Sequence, residues 1–174
     1  MNEINTVTLT PKQFQQRILA WFKIYGRKDL PWQQTKSPYR IWLSEIMLQQ
    51  TQVATVIPYF QNFIQAFPTL SSLAKADIEE VLHRWSGLGY YARARNLHRS
   101  AQIIEKEYFG KFPQDLMQLQ SLPGIGRTTA GAILALAFNK SASILDGNVK
   151  RVLTRVHAIP GSTALASVNK KLWS

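Results

Sequence analysis

The stretch "LPGIGRTTAGAILALAF", residues 122–138, sets a Pro-Gly-x-Gly corner directly before a run of small and apolar residues. Two glycines, Gly124 and Gly126, let a turn adopt φ > 0 and remove Cβ atoms that would block a ligand. The run that follows has no polar–apolar alternation and reads as a helix to about Phe138. The corner therefore ends one helix and starts another. The new helix exposes unpaired N–H groups at the positive end of its dipole. Such an end suits a phosphate. Ile125 is the apolar residue of the corner and is expected to pack between the two helices. An ordinary helical corner has the same turn chemistry, so the surrounding chain has to decide between packing and binding.

Outward from the corner, helical periodicity dominates. Thr10-Pro11 with Gln13 forms a hydroxyl cap, a first-turn proline and a capping-box partner. Phe14, Ile18, Trp21, Phe22 and Tyr25 follow at helical spacing, and Gly26 is a stop signal. Ser37-Pro38 starts a second helix to about Gln50. A third runs from near Gln52 to Phe67, with Pro58 expected to bend or restart it. Asp77 with Glu80 caps a fourth. "GLGYYARARNLHRSAQIIEKEY" opens on two glycines and continues with Tyr91, Ala94, Leu97, Ala101 and Ile104 on one face. A short helix spans 115–120. Asp146 and Gly147 precede a helix with Val149, Val152, Leu153 and Val156 as its apolar face. The final "ASVNKKLWS" reads as an amphipathic helix without a stop signal, as in the N-terminal part of a longer protein. No strand pattern competes, so the fold class is all-α.

The composition bounds the function. Hydrophobic residues make up 45% of the 174, so the chain folds. A formal charge of +11 fits a polyanionic partner, nucleic acid first, although a basic solvated surface gives the same number. There are no cysteines, which excludes a disulfide framework and any thiolate metal site within this sequence. His83, His98 and His157 lack metal-ligand spacing and read as surface or core residues. Neither a signal peptide nor a membrane-span pattern occurs in the sequence, which reads as cytoplasmic and monomeric, with no membrane partner.

Two carboxylates stand out. Glu45 lies in "IWLSEIMLQQTQV", a helix apolar on nearly every side, and shares a face with Ile41 and Leu48. A carboxyl among such neighbours has a raised pKa and suits a general acid near neutral pH. The alternative is a glutamate paired with an arginine or lining the helix edge. Asp146 in "ILDGNVKRV" is placed to cap a helix. The cap is compatible with a second role, a fixed negative charge in a cleft. One neutral acid and one carboxylate form the pair that breaks a glycosidic bond through an oxocarbenium-like transition state.

Other elements point to a nucleic-acid surface or to core. "WSGLGYYARAR" places aromatics on a glycine turn ahead of Arg93 and Arg95. An exposed tyrosine there wedges between bases, while the arginines meet phosphate. One tyrosine of the pair, Tyr91, is expected in the core. Trp32, in "LPW", lines a base pocket or plugs the core. Gln49 and Gln50 hydrogen-bond base edges or cap the turn at Thr51.

"LPW", "PYRIWLSEIMLQQTQVATVIPYF", "GLGYYARARNLH", "FP", "LPGIGRTTAGAI" and "ILDGNVKRVL" occur in an order and spacing that resemble the adenine-specific DNA glycosylases of the helix-hairpin-helix superfamily, over residues 13–174. The resemblance implies a six-helix module over 27–136. It assigns 1–26 and 137–174 to a second helical domain, with double-stranded DNA between the two. The target is adenine opposite 8-oxoguanine or guanine, flipped out of the duplex. Glu45 is then the catalytic acid at adenine N7, Asp146 the stabiliser of the cationic sugar, and Asn148 a residue that holds the site. Gln50 and Tyr90 match positions that probe the duplex, and Trp32 and Leu48 match the wall of the adenine pocket. Gly124, Ile125, Gly126 and Arg127 match the hairpin that grips the DNA backbone. Position 128 separates two enzyme types. The related endonuclease III-like enzymes carry a lysine that attacks the sugar and permits strand cleavage. Thr128 cannot form that Schiff base, so the expected product is an abasic site. The family also carries a 4Fe–4S cluster, whose cysteines this sequence lacks, and usually a domain that recognises 8-oxoguanine.

Overall fold

The computed structural model describes residues 10–173; residues 1–9 of the expected 1–26 segment lie outside the described residues. Ten helices and no strand occur among them. They are α1 (Pro11–Tyr25), α2 (Pro38–Met47), α3 (Val53–Ala66), α4 (Leu70–Lys75), α5 (Ile78–Trp85), α6 (Ala92–Glu107), α7 (Leu116–Gln120), α8 (Arg127–Phe138), α9 (Gly147–Val156) and α10 (Ala166–Trp173). Their starts follow local chemistry. Thr10 and Gln13 close a capping box on α1, Asp115 caps α7, and Asp146 caps α9 through Val149 N–H at 2.7 Å. Left-handed Asn139 ends α8.

One apolar core runs from Trp32 to Leu134. α2 packs on α8, α3 and α6; α4 and α5 cover α6, and α7 lies on α8. Trp42, Leu43 and Met47 of α2 are fully buried, so the helix that carries Glu45 is the centre of the molecule. Pro58 interrupts nothing: α3 is one helix, held through its middle by buried Val56, Phe60, Phe63 and Ile64. α4 has no counterpart among the expected helices, since six residues give too short a period to read.

The apolar stripes of α1 and α9 stay largely exposed. α1 buries none of its residues, and Trp21 and Tyr25 are 57% and 66% exposed. α9 likewise buries none; its Val152 and Val156 face solvent, although α9 packs on α10. Their apolar stripes exist as read. They are covered only in part: Phe14 meets His157 edge-on at 6.5 Å, and Val149 and Leu153 are half-buried.

Candidate active site

A cavity of about 690 Å³ opens between α2, the start of α8 and the start of α9. Glu45, Asp146, Asn148, Thr128, Trp32 and Leu48 all line it. Residues 101 positions apart in sequence thus meet because α8 turns the chain back at Asn139 and returns it toward its own N-terminus.

Glu45 faces this cleft from the buried helix. Burial, first, and the charge of Asp146, second, push its carboxyl up to about 7. No guanidinium or ammonium pairs with it among the described residues, so the ion-paired alternative fails. Asp146 caps α9, and the cap holds its side chain at the cleft. Trp32 is 7% exposed, stands edge-on to Phe60 at 5.3 Å, and also lines the cavity. Thr128 accepts a hydrogen bond from Leu145 N–H at 3.4 Å, tying α8 to the residue before Asp146.

The hairpin has the expected shape. Gly124 sits at φ +76, where a side chain is strained, and Ser100 Oγ donates to Pro123 O at 2.8 Å to anchor the turn on α6. Ile125 is buried. Gly126 has open space where a Cβ would stand, and no side chain caps the N–H groups that open α8. Arg127 stacks its guanidinium 3.9 Å from the Trp173 ring centroid, linking the hairpin to α10.

Gln50 and Tyr90 are both exposed and both adopt φ > 0, at +57 and +51. Two expectations nearby need correction. Arg93, expected at phosphate, turns inward and is 9% exposed. It donates to the carbonyls of Ile46 (3.0 Å), Met47 (2.8 Å), Gln49 (2.6 Å), Leu88 (3.2 Å) and Gly89 (3.1 Å) and to Thr51 Oγ1 (3.2 Å). The orphan carbonyls at the end of α2 draw it in. Arg95, two residues on, stays exposed. Tyr91, expected in the core, is 40% exposed; it precedes the first turn of α6, with its hydroxyl 3.4 Å from Ser86 Oγ.

The sequence reading missed Arg27, Val53 and Thr129, which also line the cleft. Thr129 Oγ1 accepts from Gln49 Nε2 at 3.4 Å. Only the place of Arg27, between the Gly26 stop and "LPW", hinted at a role. Arg93 did carry a signal, for it shares the stripe of buried Leu97, Ser100 and Ile104. The 4Fe–4S cluster implied by the resemblance does not fit this chain. It has no cysteine, and no metal-ligating cluster of His, Asp or Glu occurs among the described residues.

The described residues combine an all-helical core, a two-glycine hairpin and a cleft lined by both Glu45 and Asp146. Residues 43–174 match the model of the HhH-GPD superfamily base excision DNA repair protein, and the chain belongs to that family. It is 52% identical over 166 residues to the adenine DNA glycosylase of Buchnera aphidicola subsp. Acyrthosiphon pisum, covering 95% of this chain and 47% of that protein. The human adenine DNA glycosylase is 44% identical over 169 residues, 92% of this chain and 31% of that one. The chain thus spans about half the length of the bacterial relatives it matches. Among solved structures, a thermostable thymine-DNA glycosylase superposes with a TM-score of 0.78 at 27% identity, over 92% of this chain and 77% of that one. A non-covalent endonuclease III–DNA complex shares the fold, with a TM-score of 0.74 at 22% identity over 95% and 78% of the two chains.

Proposed function

We propose that this chain carries the catalytic centre of a monofunctional adenine DNA glycosylase that removes adenine opposite 8-oxoguanine or guanine. The observation that carries the reading is the pair in the cleft: a glutamic acid raised to about 7 beside the carboxylate of Asp146. Glu45 donates its proton to N7 of the flipped adenine. The N9–C1′ bond then breaks with its electrons retained by the neutral base. Asp146 stabilises the cation left on the sugar, and water adds to C1′ and loses a proton, leaving an abasic site. Asn148 holds the site, and Trp32 and Leu48 wall the adenine pocket. Thr128 offers no amine, so no Schiff base forms and the strand stays intact.

Around the cleft, Gln50 and Tyr90 probe the opened duplex. The hairpin residues Gly124, Gly126 and Arg127 present backbone N–H groups to a phosphate, Ile125 holds the turn by donating its own N–H to Leu122 O at 3.1 Å, and Arg95 adds charge. Residues 27–136 form the six-helix module, and α1 with 137–174 belong to a second domain, with double-stranded DNA bound between them. The protein acts as a monomer in the cytoplasm, and the likeness to bacterial adenine DNA glycosylases supports that compartment.

A single-turnover assay tests this on duplexes holding adenine opposite 8-oxoguanine, guanine or thymine. The chain is expected to release adenine from the first two, and Glu45→Gln to release none. Borohydride is expected to trap no covalent adduct. If neither protein releases adenine while both bind DNA, the chain is a binding module. An adduct would instead mark a glycosylase that also cleaves the strand.

A further inference from the structure

α8 carries both walls of the cleft. α2, with Glu45, packs against it on one side. On another, the segment 143–145 lies directly on the α8 backbone just before Asp146. That approach depends on Gly131. A Cβ built there would stand 2.7 Å from Ser143 O and 3.0 Å from Ile144 Cγ2. The first contact is with backbone oxygen, which no rotamer change relieves. Thr128 lies three residues earlier on the same helical face and takes the N–H of Leu145 at 3.4 Å. Leu145 is itself 5% exposed. Two contacts from one face of α8 therefore register the three residues that lead into Asp146.

We propose that Gly131 is a positioning residue, whose missing side chain seats the segment 143–145 on α8 and so sets Asp146 opposite Glu45, with Thr128 as the hydrogen-bonding partner of that seat. The inference rests on the proposed glycosylase reading for its kinetic consequence, but its structural content stands apart from it. Helix chemistry alone would disfavour this glycine, since alanine is the better helix former. The close approach explains its presence.

The charged groups that face Glu45 or share a cavity with it are Asp146 from the start of α9, Arg27 from the segment after α1, and Lys36 in a smaller groove that Glu45 also lines. Moving Asp146 outward weakens the second cause of the raised Glu45 carboxyl, its charge, and leaves burial in place.

The test uses the whole chain with Gly131→Ala, Thr128→Val and Thr128→Ser. Carbon-detected NMR titration of the Glu45 carboxyl needs no activity. In Gly131→Ala its midpoint is expected to fall from about 7, and single-turnover adenine release to slow about 10- to 100-fold. Thr128→Val is expected to shift both in the same direction by less, and Thr128→Ser, which keeps the hydroxyl, to restore both. In an Asp146→Asn background Gly131→Ala is expected to add no further loss, because it acts through that carboxylate. A Glu45 midpoint that stays or rises in Gly131→Ala overturns the proposal. So does a rate loss of equal size in the Asp146→Asn background. If Gly131→Ala does not fold, the Thr128→Val and Thr128→Ser pair decides by the same two readouts. If the parent releases no adenine, the glycosylase reading fails, and the titration alone decides the role of Gly131.

Discussion

At the residue scale, Glu45 joins activity to stability. In the role proposed for it Glu45 acts only when protonated, so adenine release is expected to fall as pH rises through about 7. A pH series of single-turnover rates measures this. The same shift has a cost. Below about 4.5 folded and unfolded chains both hold the proton; between about 4.5 and 7 only the folded chain does, so stability declines across that window and levels off above it. Glu45→Gln removes the carboxylate while keeping its size. It is expected to melt higher than the parent at pH 8, by on the order of 1–3 kcal/mol, and to match it at pH 4.5. An equal shift at both values would place the gain in packing instead.

At the element scale, Arg93 ends α2 and joins it to the turn before α6. Its bonds reach both stretches that hold Gln50 and Tyr90 in left-handed backbone. Its rings are near too: the guanidinium lies 5.5 Å from the centroids of both Trp85 and Tyr90. Its Nε–H has no partner among the described residues. Arg93→Met would strip several buried carbonyls of their donor, so thermal melting is expected to show a loss of about 3 kcal/mol or more. α1 behaves oppositely. Trp21 is 57% exposed, and Trp21→Ser is expected to change stability by no more than about 0.5 kcal/mol. A large loss in the same melting experiment would mean that the α1 stripe is covered in solution.

At the scale of the whole molecule, a net charge of +11 favours a polyanionic partner. DNA affinity is expected to fall linearly on a log–log plot against salt, with a slope near −0.9 for each phosphate neutralised. Fluorescence anisotropy on a matched duplex at several salt concentrations reads this slope. Arg95→Ala is expected to flatten it by about 1, whereas Arg93 supplies no such charge because its guanidinium is occupied inside. A slope unaffected by Arg95→Ala would remove that residue from the interface.

Local chemistry specifies the helices other than α4, together with the hairpin and the two carboxylates. Capping residues, glycines and periodicity are local, and they act wherever the chain goes. Thr10, Asp146 and Asn139 bound helices through bonds made within a few residues, and Gly124 takes the turn its position demands. Tertiary structure decided what those features face. Arg93 and Arg95 have one chemistry and lie two residues apart, yet one is drawn inward by the open end of α2 and the other is left in water. The stripe on α1 is as apolar as any, but burial needs a partner, and no spacing along a helix supplies one. Gly131 looked like one small residue in a run of them. Only the return of the chain past Asn139 brings Ser143 O to where its Cβ would stand, and with it Asp146 to the cleft that holds Glu45.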